Sequence, residues 1–121
     1  MSQTIIHIPA GGDATIQQVE AIDLNTVSGF VGGHIQGVFL GGGITVYVNE
    51  EGLILGLPPN RVFTRFDGNK VNVVGDAILM SSDPATGDDI GLTPEEAEEW
   101  LAKVNNMPWI DAPWLRNPQW Q

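Results

Sequence analysis

The chain contains no cysteine, only five basic residues and no long apolar run. Without cysteine, disulfide bonds, thiolate metal ligands and thiol catalysis are excluded. Five Lys and Arg against 15 Asp and Glu give a formal net charge of -10, which argues against nucleic-acid binding and against attachment to an anionic membrane. No stretch approaches the roughly 20 apolar residues of a membrane span. The first basic residue is Arg61, so no secretory signal is recognisable and we expect a cytoplasmic protein.

The remaining composition is that of a globular protein, with 121 residues of which 42% are hydrophobic. A chain of this length has room for one domain and little more. Strand-like and helix-like segments follow one another without a regular β-α-β alternation, which predicts an α+β fold. We expect an antiparallel or mixed sheet of about five strands, with two helices on one face. The domain is expected to cover residues 1–104, followed by an extended arm over residues 105–121.

Local patterns place most of these elements. Asp23 stands where a helix N-cap would, and glycines at 32 and 33 would end that helix. Thr93 followed by Pro94 and Glu96 has the pattern of a capping box with proline in the first turn. The expected helices therefore run from Asp23 to Gly32 and from Pro94 to Val104. Strands are expected over 4–8, 15–22, 34–40, 44–48, 53–57 and 73–80, with Gly41-Gly42-Gly43 as a hairpin turn. Within the last of these strands, Gly75 is expected to be a bend or a close approach of the backbone.

The arm is set apart by its proline and tryptophan content. Its residues divide into three pentads, each with proline in the second place and tryptophan one or two residues later. Prolines at this density prevent a regular helix. Trp109, Trp114 and Trp120 are large apolar side chains that need cover, and tryptophan is enriched at binding hot spots. They are interface candidates, packed either on their own domain or on another chain.

Five ordered segments carry a family resemblance. They are 31–35 (VGGHI), 48–52 (VNEEG), 57–61 (LPPNR), 74–79 (VGDAIL) and 92–96 (LTPEE). In this order the chain resembles the domain-of-unknown-function family 3846, small proteins common in bacteriophages and in some bacteria. The resemblance covers roughly residues 22–104 and leaves out the Pro/Trp arm. It implies a phage-type accessory protein and supplies no catalytic residues.

The most informative polar set lies within this resemblance: Asn49, Glu50, Glu51, Asn60 and Arg61. Asparagine beside glycine has a structural use in turns, and Arg61 could pair with Glu50 or Glu51. Arginine with carboxamides is also how a pocket recognises an anionic or amide-bearing ligand. The residues alone leave the structural and the ligand- or partner-binding interpretations open.

Other polar residues offer no recognisable chemistry. His7 and His34 are the only histidines, and neither has the neighbours of a metal-ligand motif. Asp83, Asp88 and Asp89 lack the ligand spacing of a calcium loop. Gly41-Gly42-Gly43 precedes a predicted strand, whereas a phosphate-binding loop precedes a helix. We therefore expect no catalytic residues, no metal and no cofactor.

The sequence thus favours a non-enzymatic phage accessory protein that binds a host protein through the arm and the acidic second helix. A small-ligand protein, for example a nucleotide-signal sponge with Asn49, Asn60 and Arg61 in the pocket, is the alternative. A self-assembling structural protein is a further one. The expected partners are a host protein or a second copy, with a small anionic ligand as the other case and with neither nucleic acid nor membrane.

Overall fold

The computed structural model describes residues 2–52 and 54–110. Eight strands and two helices occur in this part of the chain. The strands are β1 Gln3–Ile8, β2 Thr15–Val19, β3 Ile35–Gly41, β4 Ile44–Asn49, β5 Pro59–Thr64, β6 Lys70–Val74, β7 Ala77–Ser82 and β8 Asp89–Ile90. The helices are α1 Leu24–Val31 and α2 Pro94–Asn105. The longer helix has 12 residues, so no helix of the described residues could cross a membrane.

Six of the strands form one antiparallel sheet in the order β2-β1-β7-β4-β3, with the short β8 beside β7. The central position of β7 follows from its sequence, since Ala77 to Ser81 are all buried. β5 and β6 form a separate antiparallel pair. The α+β class and the antiparallel sheet are therefore confirmed.

The two helices lie on opposite faces of the sheet, where the sequence predicted both on one face. Neighbouring residues of a strand point to opposite faces. Ile5 packs with Val27 and Val31 of α1, whereas the next residue, Ile6, packs with Ala97 of α2. The buried strands β1 and β7 are apolar on both sides. A sheet that is apolar on both faces is stabilised when each face is covered by a helix. The periodicity of a helix in the sequence does not show which face it covers.

The segment predicted as one strand over 73–80 is two strands, and the bend or close approach predicted at Gly75 is where they divide. The chain turns at Gly75, whose φ of 75° is left-handed, so that β6 ends at Val74 and β7 begins at Ala77. A Cβ at Gly75 would lie 2.7 Å from the Leu57 side chain. The predicted strand over 53–57 is also wrong, because residues 54–56 form a turn. This turn packs Leu57 against Gly75 and brings the chain into β5.

The predicted caps are confirmed. Asp23 accepts a hydrogen bond from the Thr26 amide at 2.8 Å, and Gly32 ends α1 with a φ of 79°. Thr93 and Glu96 form the complete capping box of α2. The glycine turn between β3 and β4 is confirmed as well, with positive φ at all three glycines. These elements depend on neighbouring residues only, which is why the sequence predicts them well.

Candidate functional site

Asn60 and Arg61 lie in the interior, in an irregular part of β5. The register between β5 and β6 shifts between Pro59 and Val62, so Asn60 and Arg61 are not part of the regular pairing with β6. A bulge of this kind redirects side chains. Asn60 is 0% exposed and Arg61 1% exposed. The two side chains therefore belong to the core of the protein.

The Asn60 carboxamide uses both of its ends. Its Nδ2 donates to the carbonyl oxygens of Ile8 at 3.0 Å and Gly75 at 2.8 Å. Its Oδ1 accepts from Nη1 of Arg61 at 3.0 Å. The side chain thus connects the end of β1, the turn between β6 and β7, and β5. Buried carbonyl groups without a partner are costly, so this carboxamide stabilises the junction of three segments.

Arg61 carries its charge into an apolar region with few polar partners. Nη2 donates to the Gly12 carbonyl at 3.0 Å, while Nε has no hydrogen-bond partner among the described residues. The guanidinium carbon lies 4.0 Å from the ring centroid of Trp109, in a cation-π arrangement. Burial lowers the pKa of Arg61 below its usual value, and the charge of Asp13 opposes that shift. The proposed pairing with Glu50 or Glu51 does not occur within the described residues.

Trp109 reaches Arg61 because the first residues of the arm run beside β5. The Val62 amide donates to the Pro108 carbonyl at 2.9 Å, and the Ile110 amide donates to the Asn60 carbonyl at 3.0 Å. Arg61 and Trp109 form an isolated antiparallel bridge. Ile110 is buried against Val74, whereas Trp109 remains 46% exposed. Trp114 and Trp120 lie outside the described residues.

Asn49, Glu50 and Glu51 form a separate turn after β4. The Asn49 Oδ1 accepts from the Glu51 amide at 2.8 Å, and its Nδ2 donates to the Val31 carbonyl at 3.2 Å. This buried side chain connects the turn to the end of α1. The carboxylates of Glu50 and Glu51 are exposed, and Glu51 lies 4.0 Å from His34. No hydrogen bond of the described residues joins this turn to Asn60 or Arg61.

A cleft of about 300 Å³ opens beside this turn, between β3, β4 and β6. Apolar side chains form most of its wall, and Gln36, Asn49, Glu50 and Asn72 supply the polar groups. Two of the five predicted polar residues therefore line a cavity, while Asn60 and Arg61 are not part of its wall. The volume of the cleft is at the small end of the range for ligand sites, and a mostly apolar wall with a few polar groups is typical of such sites. Gln36 and Asn72 lacked any signal in the sequence, because nothing local brings β3 and β6 together.

Two further polar contacts were not predicted from the sequence. His7 Nε2 lies 3.1 Å from Asp76 Oδ2, and the other oxygen of Asp76 accepts from the Ala10 amide at 3.0 Å. The Tyr47 hydroxyl donates to the Asp89 carboxylate at 2.7 Å. Burial and this carboxylate raise the pKa of Tyr47 to about 12. Within residues 2–52 and 54–110, no group of three or more His, Asp or Glu could hold a metal ion.

Comparison with known proteins places the chain in one family. The family model for DUF3846, a domain of unknown function, matches residues 3–105. The chain belongs to this family, as its five ordered segments predicted. No curated protein and no solved structure matches it.

Proposed function

We propose that this protein is a non-enzymatic accessory protein of a bacteriophage that acts by binding a host protein. Trp109 carries the proposal, since it is fixed by its backbone pairing with β5 and by Arg61, yet leaves nearly half of its surface exposed. A rigid, partly exposed tryptophan loses little conformational freedom when it binds, and tryptophan and arginine dominate binding hot spots. Trp114 and Trp120 follow it in the sequence of the same arm.

The charge of the chain indicates the kind of partner. The net charge is -10, and Glu95, Glu98 and Glu99 of α2 are exposed. Such a surface attracts a partner with a basic face and accelerates its association at low salt. The partner is therefore a basic host protein with an apolar pocket for Trp109.

The test is capture from a host extract, followed by reconstitution with the purified partner. Trp109→Ala is compared with Phe66→Ala, which removes another exposed aromatic ring. Loss of a hot-spot residue costs 2 kcal/mol or more, or roughly thirtyfold in affinity. We expect that loss for Trp109→Ala and wild-type affinity for Phe66→Ala, with both variants folded by circular dichroism. A partner that binds Trp109→Ala as tightly as the wild type contradicts the proposal, as does the absence of any captured protein.

The cleft favours small-ligand binding as a second candidate function. Its only charged wall residue is Glu50, so it suits a neutral or cationic ligand better than an anion held by Arg61. The test is a titration with small cationic and neutral compounds, followed by amide chemical shifts. Glu50→Gln should weaken cationic ligands, and Glu51→Gln, outside the wall, is the matched control. Equal effects of the two substitutions contradict binding in this cleft.

A further inference from the structure

β3 forms one edge of the main sheet and pairs with β4 alone. The Glu50 amide donates to the His34 carbonyl at 2.9 Å. This bond shows which residues of β3 form hydrogen bonds with β4 and which do not. Alternate residues of an antiparallel strand point their backbone groups toward the partner strand. Gln36 and Val38 therefore bond to β4, while Ile35, Gly37 and Phe39 direct their N–H and C=O groups outward. No backbone hydrogen bond of the described residues occupies these outward groups.

This edge lacks the features that usually prevent strands from pairing. Exposed edges are protected by charged side chains, by proline, or by a bulge that twists the strand away. Residues 35–39 contain neither a charge nor a proline, and the bulge of β3 comes only after Phe39. Gln36, Gly37 and Phe39 are all exposed. The edge is therefore open to another strand over these five residues.

Charge identifies the strand that fits. The chain has a net charge of -10, but residues 24–49 contain no Asp, Glu, Lys or Arg. Two copies of so acidic a protein repel each other over most of their surfaces, and this edge lies within the longest uncharged segment. The carboxylates that border the strand come from other segments and lie beside its first residues, Glu50 in the cleft with Gln36, and Asp23, Asp88 and Asp89 in a pocket with Ile35. Antiparallel pairing of two copies keeps these two acidic ends apart. The edge is thus suited to a second copy.

We propose that β3 pairs with β3 of a second copy, in an antiparallel dimer with its two-fold axis at Gly37. A strand paired with itself in this way satisfies two-fold symmetry. Gly37 then faces its own counterpart, and Ile35 faces Phe39 of the other copy on both sides of the axis. Each of these three pairs exchanges two backbone hydrogen bonds, and the Ile35–Phe39 pairs add aliphatic–aromatic contacts.

The packing around β3 agrees with a two-fold axis at Gly37. A Cβ at Gly37 would lie 3.1 Å from the Tyr47 ring, so the ring covers the glycine from the neighbouring strand. Beyond Phe39, the Phe66 ring lies 5.7 Å from the Phe39 ring and occupies the end of the edge. The accessible backbone therefore extends about equally on both sides of Gly37. Because the contact is short, we expect dissociation in the micromolar range rather than an obligate dimer.

Sedimentation equilibrium of the full chain tests the proposal, with 13.0 kDa for one copy. Gln36→Glu places two like charges about 7–8 Å apart across the axis and should raise the dissociation constant at least fivefold. Gln18→Glu makes the same change on β2, at the other edge, and should leave it unchanged. Both residues are exposed, so neither substitution disturbs the core.

Cysteine cross-linking adds a readout of geometry in a chain that has no cysteine of its own. Gly37→Cys should form a disulfide-linked dimer under mild oxidation, since facing Cα atoms about 5.5 Å apart allow the bond. Gly11→Cys, at a glycine with open space around it, should not. A full chain that stays monomeric at millimolar concentration overturns the proposal. A dimer that is indifferent to Gln36→Glu, or that cross-links equally at both positions, also overturns it.

Discussion

Replacing Asn60 by alanine should destabilise the protein strongly. The substitution leaves two buried carbonyl oxygens, of Ile8 and Gly75, without their donor, and it removes the oxygen that accepts from Arg61. A buried polar group without a partner costs about 1–3 kcal/mol. Three such groups give a loss of about 3 kcal/mol or more, which is a large share of the 5–15 kcal/mol typical of a whole domain.

Urea denaturation followed by tryptophan fluorescence measures this loss. With a dependence of about 2 kcal/mol per molar urea, the midpoint should fall by roughly 1.5 M. Asn72→Ala is the matched control, because Asn72 is exposed on β6 and has no side-chain hydrogen bond among the described residues; its midpoint should hardly move. The result also separates the two interpretations that the sequence left open for Asn60. If both variants unfold at the same urea concentration, the structural role argued above is wrong.

Three further substitutions test separate parts of the structure. Tyr47 is the only tyrosine, so absorbance at alkaline pH should show its ionisation near pH 12, and Asp89→Asn should move it toward the ordinary pKa of about 10. Because the folded pKa is the higher one, the stability due to Tyr47 is complete below pH 10 and is lost as the pH rises toward 12. Gly75→Ala should cost more than Gly68→Ala in thermal unfolding, since both have positive φ but only Gly75 has a side chain within 2.7 Å of the added Cβ. Thr93→Ala should cost about 1 kcal/mol in the same assay through loss of its cap.

The structural features that the sequence predicts well are those that depend only on neighbouring residues. Asp23 and Thr93 cap helices through amides three residues away, and the glycine turn joins strands that adjoin it. A bend or close backbone approach at Gly75 was predicted, but the division into two strands was missed, because most of residues 71–80 are apolar and hydrophobicity does not mark a chain reversal between two buried strands. The glycine indicated the bend, since its positive φ permits the turn, but it did not show that the chain reverses there.

The candidate site was only half predictable for the same reason. Asn60 and Arg61 were recognised as unusual residues, but their partners Ile8 and Gly12 lie 52 and 49 positions away. No local pattern reveals that a carboxamide will be enclosed by carbonyl groups from distant strands. The cleft beside Asn49 likewise depends on β6 approaching β3 and β4. The residue types therefore indicated which polar side chains have a particular role. Only the fold shows that Asn60 and Arg61 are buried in the core, whereas Asn49 and Glu50 line the cleft.

The contacts of Arg61 also bear on where the domain ends, which the sequence placed at residue 104. The family match stops at residue 105, yet Trp109 covers the Arg61 guanidinium and Ile110 packs on Val74. Asn105 adds hydrogen bonds to both backbone groups of Ala14. A chain ending at residue 104 should therefore unfold at a lower temperature than one ending at residue 110, because it exposes a buried cation and an apolar contact. Equal melting temperatures for the two chains would restore the boundary at residue 104, whereas a difference makes residues 105–110 part of the domain.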